Sequence, residues 1–139
     1  MRFEVVVDGF NLMFWTACTG LEVIFKHEQV KELGQHSFTT FIPGRAEYPK
    51  VVLQRAIQTG DWTVTKSWLE SVSNDDGLVM MRSDRTATIT LHDAARKPVA
   101  SWTLRNAMPA AWKGPRLDSN GRTFALETLE LVHEGFLDD

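Results

Sequence analysis

The sequence predicts a mainly β fold, an antiparallel β-sandwich or barrel of two packed sheets with one short α-helix at about residues 61–73. Three observations predict it. Apolar and polar residues alternate with a period of two along most of the chain, turn dipeptides punctuate those runs, and a single segment carries helical period. The chain has 139 residues, 43% hydrophobic and 24% charged, which suits one domain spanning 1–139. A domain of this length buries roughly two thirds of its unfolded surface, enough for a core without metal or disulfide staples.

In chain order, Phe3, Val5 and Val7 alternate with Arg2, Glu4 and Val6, and Asp8-Gly9 follows as a turn signal. An extended stretch runs from about 12 to 30, and within it Leu21, Val23 and Phe25 form one apolar face. From Glu28 to Arg45 the pattern fades, so about 27–47 reads as a long loop or hairpin; loops beyond about 12 residues in compact domains are usually functional. Strand character returns from Val51 to Ile57. Asp61 is positioned to cap the helix, whose Val64, Trp68, Leu69 and Val72 share a face, and Asn74-Asp75-Asp76-Gly77 ends it. Thr86, Thr88 and Thr90 alternate with Ala87, Ile89 and Leu91, and a turn over 92–97 leads into Ala100, Trp102 and Leu104, a hairpin. Met108 to Pro115 reads as a proline-delimited connection with Trp112 over the core edge. The last strand follows Asn120-Gly121, and its apolar residues change phase between Phe124, Leu126 and Leu129, Leu131. Such a slip predicts a bulge near Glu127-Thr128 or a strand serving two sheets at a corner.

The chemistry is sparse. Fifteen basic against eighteen acidic residues give a net charge of −3 with both signs interspersed, which disfavours a nucleic-acid-binding module. Cys18 is the single cysteine, so no internal disulfide and no multi-thiolate zinc site can form, and an apolar setting makes it a buried thiol rather than a nucleophile. His27, His36, His92 and His133 lack metal-ligand spacing, and His133-Glu134 lacks a second histidine at helical distance. Neither Gly44-Arg45 nor Gly114-Pro115-Arg116 is a phosphate loop, and Asp75-Asp76-Gly77 is too short for a calcium loop. The expectation is a non-enzymatic protein with no cofactor, no metal, no secretory segment and no membrane anchor, made in the cytoplasm.

Four blocks in register carry a resemblance. They are Tyr48-Pro49-Lys50-Val51-Val52-Leu53-Gln54-Arg55, Trp102-Thr103-Leu104-Arg105-Asn106-Ala107-Met108-Pro109, Trp112-Lys113-Gly114-Pro115, and Glu127 through Phe136 with His133-Glu134-Gly135-Phe136 at its end. Together with Phe3 through Gly9 and Thr19-Gly20-Leu21-Glu22, they resemble the tail tube proteins of contractile-tailed bacteriophages and of phage-like contractile injection systems. The resemblance implies a structural subunit that forms hexameric rings, stacks them into a hollow tube, and works with a sheath protein and baseplate or hub proteins to pass DNA or protein cargo through the lumen. It also implies that the segment at about 27–47 reaches toward the next ring. Two other readings stay open: a tube-initiating adaptor ring between hub and tube, and a secreted ring-forming effector carrier related to haemolysin-coregulated protein. The chain departs from the family pattern at Ala56, where relatives carry glycine, and at Lys31 through Gln35, where their loop is richer in glycine.

The residues expected at self-assembly contacts are Phe38, Phe41, Ile42, Arg45, Tyr48 and Trp112. A long polar loop bearing Phe38, Phe41 and Ile42 leaves those side chains in water unless a partner covers them, and Arg45 and Tyr48 flank them as polar and aromatic anchors. For Trp112 a core-edge role and a contact role both fit the sequence.

Overall fold

Strand β1 (Arg2–Val7) keeps the period of two that the sequence shows, with Val5 and Val7 fully buried. The computed structural model describes residues 1–30, 40–74, 85–115 and 125–137, with backbone alone at 28–30 and 40–43. At Asp8 and Gly9 the φ angles are 50° and 81°, the pair of positive values that a tight two-residue hairpin needs. The chain returns as β2 (Phe10–Trp15) with a bulge opposite Glu4 and Val6. Met13 sits there at φ 66°, its N–H donating to Asn11 Oδ1 at 2.9 Å. The extra residue explains why Leu12 and Trp15, three apart, both point into the core.

The extended stretch expected over 12–30 is three strands instead. After β2 come β3 (Ala17–Thr19) and β4 (Ile24–Val30). Gly20 breaks the run at φ 90°, where a Cβ would lie 2.0 Å from the Lys50 carbonyl oxygen. Among the described residues strand β4 pairs only with β5 (Thr40–Glu47), in a two-stranded sheet of its own. Among the described residues neither main sheet pairs with that hairpin, and Phe25, on the apolar face of the alternation, is 55% exposed with Ile24 beside it.

The remaining elements are β6 (Val51–Ala56), α1 (Asp61–Ser73), β7 (Thr86–His92), β8 (Pro98–Arg105), β9 (Met108–Lys113) and β10 (Leu126–Val132). One four-stranded sheet has the order β2-β1-β7-β8 and the other β3-β6-β10-β9, with antiparallel pairing throughout. The chain crosses between sheets at two corners, from β2 to β3 through Thr16 and from β8 to β9 through Asn106 (φ 48°) and Ala107. Between the sheets lies the core, led by Trp15, Leu53, Trp68, Ile89, Leu104 and Leu131.

The helix has the predicted bounds, but Asp61 is not its cap. Gly60 takes that position at φ 91° without a side-chain bond, and Asp61 Oδ2 reaches back to accept the Gln58 N–H at 2.9 Å. Trp68 and Thr65 are buried, and Val64, Leu69 and Val72 pack against the core. Asn74 closes the helix by donating to the Glu70 carbonyl; residues 75–77 of the expected stop lie outside the described residues.

Two further expectations change at the other end. The segment expected to be a connection is the edge strand β9, where Pro109 is tolerated because it lies on a sheet border beside a bulge between Glu130 and Leu131. The bulge expected near Glu127-Thr128 is therefore displaced, and β10 pairs with β6 from Leu126 to Leu131 without a slip. Phase is in fact continuous, because Glu127, Leu129 and Leu131 face inward while Leu126 is half-exposed. An acid in an inward position and a leucine in an outward one mimic a slip. Phe124 and the expected start after Gly121 lie outside the described residues.

Candidate assembly surfaces

Three local arrangements set the surfaces that another molecule can meet. The first is internal. Arg55 is 2% exposed and Glu127 fully buried, both on the inward phase of their strands. Arg55 Nε donates to Glu127 Oε1, Nη1 to the Leu12 carbonyl, and Nη2 to Thr65 Oγ1 at 3.3 Å, while the guanidinium lies 3.9 Å over the Trp15 ring. Glu127 Oε2 accepts from Trp112 Nε1 at 2.9 Å, and Trp112 stacks on Trp62 with centroids 4.4 Å apart. This clamp ties β2, β6, α1, β9 and β10 together. Sequence reasoning missed it, although Val51-Leu53-Arg55 and Glu127-Leu129-Leu131 carry the signal as charges in an apolar phase.

The second is a latch formed after β10. Gly135, at φ 128°, fits against Tyr48 and Arg105, where a Cβ would lie 2.6 Å from the Tyr48 ring. The Arg105 N–H donates to the Gly135 carbonyl and the Glu134 N–H to the Arg105 carbonyl, each at 2.8 Å, and the Arg105 guanidinium holds the carbonyls of Leu137 and Glu134. Tyr48 meets His133 and Phe136 with centroids at 5.5 and 5.3 Å. Burial pushes the His133 pKa below its ordinary value. The third is a charge bridge on the outer face of the second sheet, where Glu130 accepts from Lys50 at 2.8 Å and faces Lys113 at 3.1 Å. The bond from Lys50, then that from Lys113, holds the Glu130 pKa below its ordinary value.

The six expected contact residues do not form one site. Phe38 lies outside the described residues, and Phe41 and Ile42 are described only by backbone, paired with Gln29 and Glu28 across the β4–β5 hairpin. Arg45 is exposed on that hairpin, Tyr48 is half-buried in the latch, and Trp112 is half-buried on the clamp.

Sheet borders complete the picture. Among the described residues, no strand pairs with the outer edges of β2, β8, β3 and β9. Strand β3 has three residues and β9 carries Pro109, which blunts the borders of the second sheet. The first sheet has longer borders, with Met13 and Phe14 exposed on β2 and Val99, 59% exposed, on β8. Its outward face is rich in hydroxyls, with Glu4, Thr90 and Ser101 in one cross-strand row and Val6, Thr88 and Thr103 in the next. Among the described residues, no three His, Cys, Asp or Glu are grouped to hold a metal ion, and no helix is long and apolar enough to cross a membrane.

Residues 1–137 match the family of the T4-like virus tail tube protein gp19. The chain belongs to that tail tube family. Solved structures share the fold. A chain of the sheath/tube terminator of an extracellular contractile injection system, PVC, in the extended state superposes with a TM-score of 0.74 at 18% identity, covering 96% of this chain and 90% of that one. A chain of the PVC sheath–tube complex gives 0.72 at 16% identity, covering 96% and 85%. Hcp1 from Flavobacterium johnsoniae gives 0.51 at 12% identity, covering 96% and 90%. No curated protein matches the chain significantly. The four sequence blocks are the parts of this tail tube chain that build the clamp and the latch.

Proposed function

We propose that the chain is the inner tube subunit of a contractile tail or injection system, assembling as hexameric rings stacked into a hollow tube for DNA or protein. The observation that carries this reading is the border pattern of the first sheet: its two free edges, β2 and β8, belong to different strands. Pairing β2 of one copy with β8 of the next is a head-to-tail contact, and such contacts close into rings. Ring closure removes the exposed borders, which otherwise invite aggregation. Six copies of a four-stranded sheet, at a strand spacing of ~4.8 Å and a tilt of ~40°, enclose a barrel roughly 45 Å across. The hydroxyl-rich outer face then lines the lumen with groups that bind a passing polymer weakly.

In this reading the segment at about 27–47, with Phe38, Phe41, Ile42 and Arg45, contacts a subunit of the adjacent ring, and sheath and baseplate proteins meet the outer surface. The function is mechanical and involves no catalysis. Electron microscopy of the purified protein tests it: sixfold rings or tubes with a central channel are expected, and a monomer persisting at high concentration would overturn the reading. Phe41→Asp is expected to leave rings intact while reducing stacking. Likeness to a chain of the anti-feeding prophage baseplate, with a TM-score of 0.71 at 19% identity over 96% of this chain and 88% of that one, keeps the adaptor-ring reading alongside. An adaptor occurs in one or two rings per particle and a tube subunit in many.

A further inference from the structure

The backbone hydrogen bonds of the first sheet can be followed strand by strand to its two borders. The Asp8 N–H donates to the Thr86 carbonyl at 3.1 Å, which continues the β1–β7 ladder by one pair. Bonded and non-bonded pairs alternate along an antiparallel ladder. The even-numbered residues of β1 and β7 therefore bond to each other, and Ala87, Ile89 and Leu91 bond across to Leu104, Trp102 and Ala100. That leaves the N–H and C=O groups of Ser101, Thr103 and Arg105 pointing out of the sheet at the β8 border. On the β2 border the same alternation sends the groups of Asn11 and Phe14 outward, because their partners Val6 and Glu4 bond to β7.

The β8 border is not equally open along its length. At Arg105 the chain itself occupies it: the Arg105 N–H donates to the Gly135 carbonyl and the Arg105 carbonyl accepts from the Glu134 N–H, each at 2.8 Å. The Arg105 guanidinium adds bonds to the carbonyls of Leu137 and Glu134, so the latch is held on the border by backbone and side chain alike. Gly135 is buried there and fits because it lacks a Cβ. At the other end Pro98 opens the strand without an N–H. The regular part of the border left between them is Ser101 and Thr103, both exposed, with two N–H and two C=O groups. Strand β2 offers the same number from Asn11 and Phe14, since the Met13 N–H in the bulge between them is taken by Asn11 Oδ1 at 2.9 Å.

We propose that the latch is an end-stop for assembly: it confines the β2 strand of a second copy to the Ser101 and Thr103 groups of β8 and keeps it off Arg105. This rests on the ring reading above and names the limit of its joint. Each copy contributes four strands of alternating direction, so β8 of one copy meets β2 of the next antiparallel, with two donors and two acceptors on each border. A slip of two residues keeps every side chain on its own face, so the alternation of the strands does not forbid it. The latch forbids it toward Arg105 by occupying the backbone groups that such a slip would need. The segment from Glu134 to Leu137 thereby serves its own subunit and limits its neighbour at once.

Amide hydrogen exchange, corrected for intrinsic rates, tests the stop on the dilute monomer and on assembled rings. In the monomer the Arg105 amide is expected to exchange at least ~100-fold more slowly than those of Ser101 and Thr103, and in rings these two are expected to slow by a comparable factor. Thr103→Pro removes a border donor where an outward N–H tolerates proline, so it is expected to keep the monomer's circular dichroism and to form no rings. Gly135→Ala with Arg105→Ala is expected to release the latch and to give open strips or rings of mixed diameter in electron micrographs. Four results would each overturn the end-stop while leaving the ring reading intact: a monomer whose Arg105 amide is as fast as the other two, rings in which Ser101 and Thr103 gain no protection, rings from Thr103→Pro, or uniform rings from the released-latch variant. The wild-type exchange pattern decides the matter even where a variant fails to fold. Absence of rings from the wild-type protein overturns both readings.

Discussion

Removing the carboxylate of Glu127 probes the clamp most directly. In Glu127→Ala the Arg55 guanidinium stays buried against the Trp15 ring, bonded to the Leu12 carbonyl and Thr65 but without its nearest counter-charge. Asp61 Oδ2, 3.8 Å from Arg55 Nε, stays as a second ion-pair partner but lies beyond hydrogen-bond distance and does not take over the lost bond. Breaking a buried ion pair from one side costs about 3–5 kcal/mol, and Trp112 Nε1 loses its acceptor for about 1 kcal/mol more. A chain of this length loses roughly 3–5 °C of Tm per kcal/mol, so a fall of ~12–30 °C is expected by circular dichroism at a concentration where the protein is monomeric. Since domains are stable by only about 5–15 kcal/mol, the variant loses at least about a quarter of its margin. Replacing both partners, Arg55→Met with Glu127→Leu, removes the orphan charge and is expected to lie within about 2 kcal/mol of wild type. Tryptophan emission follows both variants, because Trp15 and Trp112 touch the pair. A Tm for Glu127→Ala within about 2 °C of wild type would refute the reasoning. So would a double variant as unstable as the single one, because the two losses would then be independent.

Three further outcomes follow from the latch, the charge bridge and the thiol. Gly135→Ala forces a Cβ into the Tyr48 ring at a φ of 128°, for about 2–4 kcal/mol, and hydrogen exchange at the Arg105 amide, which donates to the Gly135 carbonyl, is expected to accelerate; unchanged protection contradicts the latch. Folding lowers the Glu130 pKa, so its bridge adds stability above the ordinary carboxylate value of 4.5 and loses it as pH falls through the lowered value; Glu130→Gln is expected to flatten denaturation midpoints over that acid range, and an unchanged slope argues against the bridge. Burial pushes the Cys18 thiol up to about 11, so at pH 8 a thiol reagent is expected to label it on the order of 100-fold more slowly than in urea, and equal rates would contradict its burial.

Period-two alternation made β1, β6, β7 and β8 legible, because each has one face on the core and one in solvent or against small residues. The helix was legible from Trp68 and its neighbours alone. Alternation failed where tertiary context assigns the face: Phe25 has strand pattern but sits on a hairpin that pairs with neither main sheet among the described residues, and Glu127 occupies a core position because Arg55 lies opposite. Pro109 hid β9, since proline argues against a strand unless the strand is known to be a border. The contact residues were less legible than the fold. Of the six, Tyr48 and Trp112 spend their side chains largely on the latch and clamp of their own subunit, and no local pattern distinguishes an aromatic ring that serves its own chain from one that waits for another.

The passages of chain through Thr16 and through Asn106-Ala107 have a mechanical consequence. Because each sheet border continues covalently into the border of the opposite sheet, the two layers are hinged along both sides like the covers of a box, not merely adhered face to face. Shear that would slide one layer over the other must stretch peptide backbone at both seams before it can open the hydrophobic contact between them. The subunit resists such shear by the tensile stiffness of its chain.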